Sequence, residues 1–82
     1  MTKDGIELAY SFLHQKWRVY QYSTDEQQKD AIEYAISSFA ETIRPDLYEH
    51  ISQGQDDYLM SHRRFATDLE EAVGRLETLM NS

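Results

Sequence analysis

The chain has 82 residues, a formal net charge of −7, three glycines, one proline and no cysteine. That length fits one domain spanning 1–82. The composition excludes disulfides and thiolate metal sites, works against nucleic-acid and anionic-membrane binding, and offers no apolar run long enough to cross a bilayer. So little Gly and Pro also argues against many short strands and for an all-α chain.

The charge is uneven: +1 over 1–23, −5 over 24–54 and −3 over 55–82. The opening residues, MTKDGIEL, have neither the apolar core nor the cleavage site of a secretory signal, so the cytoplasm is the expected compartment.

Asp4 with Glu7 three residues on forms a capping-box-like pair. Ile6, Ala9, Leu13, Trp17 and Tyr20 then recur at three- and four-residue steps, which predicts a first helix over 5–22. Ser23 with Glu26, or Thr24 with Gln27, starts a second. Its stripe of Ile32, Ala35, Ile36, Phe39 and Ile43 carries it over 25–44. Pro45 ends that helix and suits the first turn of a short third one, whose apolar side is Leu47, Tyr48 and Ile51 and whose stop is Gly54.

The last helix is expected over 57–80. Leu59, Ala66, Val73 and Met80 lie seven apart, and His62, Leu69 and Leu76 form a second row offset by three. Tyr58, Phe65, Ala72 and Leu79 widen this face. Heptad spacing suits packing along another helix at a shallow angle. Glu71–Arg75 and Arg64–Asp68 are expected as pairs on its outer side, and Gly74 falls outside the seam.

Chemistry-bearing residues are sparse. His14, His50 and His62 are the only imidazoles, and only His50 has a carboxylate, Asp46, at helical spacing on its own helix. The Glu-x-x-His pair of carboxylate-bridged di-iron bundles is missing. No nucleophile elbow, Gly-rich phosphate loop or dinucleotide fingerprint occurs. No catalytic residue, metal or cofactor is therefore expected. Gln15-Lys16-Trp17-Arg18 mixes bases with an aromatic, but Trp17 belongs to the helix stripe, and Lys16 and Arg18 can lay their stems over its edge. The segment after Pro45 carries two acids and no base, which argues against a DNA-recognition helix.

His62, inside the seam, reads as a boundary histidine with its ring tip in water; the sharper reading is a polar residue that fixes a helix–helix contact and makes association pH-dependent. Six tyrosines suggest surface for partners, while the acids Asp25, Glu26, Asp30 and Glu33 read as a solvated helix face, or alternatively as an anionic surface that docks on a basic partner.

The expected architecture is an antiparallel bundle of three long helices plus one short helix after Pro45. The wide last-helix face predicts a homodimer, with Tyr58, His62, Phe65, Leu69, Ala72, Leu76 and Leu79 as interface candidates. The expected function is that of a small, non-catalytic, self-associating protein that acts through protein–protein contact and can bind a larger partner. The alternative is an acidic inhibitor or immunity-type protein that blocks a basic nucleic-acid-binding or nuclease partner.

Overall fold

The periodic apolar residues fold as helices. A computed structural model describes residues 3–39 and 45–81. The chain is all-α: α1 (Lys3–Tyr22), α2 (Glu26–Ser38), α3 (Pro45–Ser52) and α4 (Phe65–Met80), with a 3₁₀ turn at His62–Arg64 leading into α4. No strand occurs among the described residues. No helix there is long and apolar enough to cross a membrane.

α1 lies along α4 as its principal partner, α2 packs on α1, and α3 and the 3₁₀ turn pack on α4. The core joins Ala9 and Leu13 of α1, Ile32 and Ile36 of α2, Leu47 and Ile51 of α3, and Phe65, Leu69 and Leu76 of α4. Each large side chain buried there contributes about 1.5–3 kcal/mol. The Tyr20 ring meets Phe65 with centroids 5.0 Å apart, and Phe12 stacks on Phe39 at 4.4 Å. The expected stripes of the first three helices thus supply part of the core, while Ile6, Trp17, Phe39 and Tyr48 stay at its margin and Ala35 is only half-buried. Ile43 and the expected end of the second helix lie outside the described residues.

The caps differ in detail. α1 begins at Lys3, so Asp4 lies in the first turn rather than before it. The N-cap of α2 is Asp25, whose Oδ1 accepts from the Gln27 amide at 3.0 Å. Ser23 supports that cap: its Oγ accepts from the Asp25 amide at 3.3 Å and bonds Gln28 at 2.7 Å.

The last helix is the main correction. It starts at Phe65, not near Asp57, so α1 with 20 residues is longer than α4 with 16. Residues 53–61 form turns. Gln53, Gly54 and Leu59 take positive φ values of 52°, 86° and 62°. Tyr58 and Leu59 are neighbours and both fully buried. The left-handed Leu59, whose amide is held by the Asp68 carboxylate, interrupts the helical path that the heptad spacing predicts, so both reach the core from a turn.

The heptad rows therefore break up. Leu59 precedes the helix, His62 is in the 3₁₀ turn, and Ala66 is exposed. The buried stripe is Phe65, Asp68, Leu69, Ala72, Val73 and Leu76. Of the two expected surface pairs, Glu71–Arg75 forms at 2.7 Å. Arg64 instead bonds Asp57 at 2.5 Å, and Asp68 is only 5% exposed.

The 53–61 segment is anchored by polar bonds. Asp68 Oδ2 accepts the Leu59 amide at 3.1 Å, and the Leu59 carbonyl accepts from Ser37 Oγ at 3.2 Å. Tyr58 donates its hydroxyl to the Asp68 carbonyl at 3.1 Å, and its own carbonyl accepts from Tyr48 at 2.5 Å. The Arg75 guanidinium lies 5.2 Å from the Tyr58 ring centre and donates to the Ile51 carbonyl.

Candidate functional site

α1 has two apolar faces. Gly5, Ala9, Leu13 and Tyr20 turn inward. About 100° round the helix, Leu8, Phe12, Gln15, Val19 and Tyr22 share a second face, because steps of four, three, four and three residues keep side chains on one line. Leu8 is 64% exposed, Val19 41% and Tyr22 78%. Phe12 is half-buried through its stack on Phe39, and the Lys16 ammonium lies 5.6 Å from its ring centre. An open groove of about 570 Å³ runs beside this line past Gln15, Arg18, Val19 and Gln28. A second, of about 380 Å³, continues past Lys16 to Ala31 and Ile32 of α2. Among the described residues, no carboxylate lines either groove.

Of the residues expected at an interface, Tyr58, Phe65, Leu69, Ala72 and Leu76 are buried within the chain itself. Leu79 is partly buried against the same core. The apolar excess that the sequence assigned to a partner is thus largely covered by the chain's own α1 and 53–61 segment. The exposed apolar line on α1 went unread in the sequence. Its 4-3-4-3 spacing is visible there, but Phe12 sits beside the stripe headed for the core and Gln15 interrupts the hydrophobic run.

His62 is exposed, unlike those core residues. Its Nδ1 lies 2.8 and 3.0 Å from the two Glu33 carboxylate oxygens. Tyr20 donates its hydroxyl to the same carboxylate at 3.1 Å. Burial first, and then the Glu33 hydrogen bond and charge, push the Tyr20 phenol up to about 12. Glu33 so clasps α1, α2 and the 3₁₀ turn together. Asp30 stands beside it, and the ligating atoms of Asp30, Glu33 and His62 lie within 4.8 Å of one another. Two carboxylates and one imidazole are chemically suited to a divalent cation, yet here Glu33 already satisfies His62 and Tyr20. Sequence spacing did not show this cluster, because His62 is 29 residues from Glu33.

The other singled-out residues have local work. Asp25 caps α2, so with Glu33 two of the four acids named on α2 are structurally engaged. The Arg64 hydrogen bond holds the Asp57 carboxyl below the usual range. Trp17 packs at the core margin, with His14 at 5.8 Å.

Comparison with protein-family models, with curated proteins and with solved structures gave no match.

Proposed function

We propose that this chain is a small acidic, non-catalytic protein that acts through protein–protein contact and associates with itself. The observation that carries this reading is the second apolar face of α1. Leu8, Val19 and Tyr22 stand exposed on a helix whose adjacent face, about 100° away, already serves the core. A long helix with two apolar faces buries one in its own fold and offers the other to a partner. Tyr34 of α2, 78% exposed, adds a stiff amphipathic side chain of the kind enriched at interfaces.

The arrangement that presents this face is an antiparallel bundle of the three longer helices with the short helix after Pro45. Two features support it. Only Ser23, Thr24 and Asp25 join α1 to α2, and so short a connection favours antiparallel neighbours. The contacts also step backward along α1 as they step forward along α2, from Tyr20–Glu33 to Phe12–Phe39.

Absolute mass by light scattering over a dilution series tests the reading. The expected result is a species of twice the 9.7 kDa chain mass that dissociates on dilution. A single 9.7 kDa species at every concentration would contradict self-association.

A further inference from the structure

We propose that the outer face of α1 docks on α1 of a second copy, with the two helices antiparallel. The proposal rests on the self-association reading and names its surface. Heptad spacing is what two helices need to stay in contact along their length. The Leu8–Phe12–Gln15–Val19–Tyr22 line has that spacing over more than two heptads and lies open along most of its length.

Charge selects the occupant. A chain of net charge −7 repels its own copy over most of its surface. This strip is the exception. The chain has 15 acidic residues, and none lies between Glu7 and Asp25. Lys16 and Arg18 fall inside that acid-free stretch, while Asp4 and Glu7, which outnumber Lys3 beside them, lie just before it. α1 is therefore polarised along its axis, and an antiparallel copy sets the acidic end of each helix against the basic part of the other.

Charge also selects the register. One register pairs Leu8 with the partner's Val19 and Phe12 with the partner's Gln15, each pairing occurring twice by symmetry. Another pairs Phe12 with the partner's Tyr22 and leaves Leu8 without a counterpart. Asp4, Glu7 and Arg18 lie on the same flank of the line by helical angle, and in an antiparallel pair equal flanks face each other. The first register brings Arg18 within about 3 Å, along the axis, of the level of the partner's Glu7; the second leaves them about 14 Å apart. The first register also keeps the two Lys16 side chains staggered by about 8 Å along the axis.

Three measurements test this, with helicity by circular dichroism confirming that each variant folds. Val19→Asp places a charge in the seam and is expected to weaken dimerisation at least about tenfold, as is Arg18→Glu by like-charge contact. Adding Glu7→Arg to Arg18→Glu is expected to restore most of the loss. The natural absence of cysteine makes thiol cross-linking unambiguous. Leu8→Cys with Val19→Cys in one chain should form a disulfide-linked dimer. Either substitution alone should not, because equal positions lie about 16 Å apart along the antiparallel axis. Cross-linking by the single variants would mean a parallel pair and overturn the proposal. A dimer indifferent to Val19→Asp would overturn this surface while leaving self-association intact. A monomer at every concentration would overturn both.

Discussion

Leu59 holds a left-handed backbone conformation with φ 62° although it carries a full side chain. For such a residue this costs roughly 1–2 kcal/mol. The conformation is held because its amide reaches the Asp68 carboxylate, itself buried in the first turn of α4. One acid thus fixes the turn and favours the helix start through the dipole. Asp68→Ala strands that buried amide, and a loss of about 1–3 kcal/mol in unfolding free energy is expected by urea titration. Asp68→Asn keeps an acceptor oxygen and should lose less. A change below about 0.5 kcal/mol for the alanine variant would mean that packing alone holds Leu59. Nothing in the local sequence distinguishes Asp68 from a surface acid. Arg64 four residues earlier even supplies a plausible exposed partner, and only the return of residues 53–61 over α4 gives Asp68 its buried work.

At the scale of elements, the helices legible in the sequence were those specified by local chemistry. Pro45 and Gly54 bracket α3, and the three- and four-residue apolar steps of α1 and α2 supply the core side chains Ala9, Leu13, Ile32 and Ile36. The start of α4 was not legible. Tyr58 and Leu59 fit a heptad and are buried, but they reach the core from an irregular segment, so burial at the right spacing imitated a helix that is not there. Within α4, a β-carbon built at Gly74 meets nothing within 4 Å. It is simply tolerated. Gly74→Ala should therefore raise stability by about 0.5–1 kcal/mol, seen as a higher urea midpoint with an unchanged slope. A destabilised variant would show that space near Gly74 is needed.

The whole molecule is clasped through tyrosines, and that sets its response to alkali. Burial pushes the Tyr20 phenol up to about 12 and raises that of Tyr58 as well. An unfolded chain ionises its tyrosines near pH 10. A raised pKa in the folded state means that the unfolded state releases the proton first. The stabilisation is complete below about pH 10 and is lost as pH rises through about 12 for Tyr20, with Tyr58 adding to the loss. The melting temperature should therefore fall across that window, with tyrosinate absorbance at these two positions appearing together with unfolding. Tyr20→Phe keeps the ring against Phe65 but cannot ionise. Its alkaline decline should be shallower than that of the parent chain, while general charge repulsion, which grows with pH in both, cancels in the comparison. An equally steep decline would assign the alkaline loss to net charge rather than to the Tyr20–Glu33 clasp. That clasp joins α1 to α2 from 13 residues away and also receives His62 from 29. It holds α1 by its inner side, which leaves the outer line from Leu8 to Tyr22 free to meet a partner.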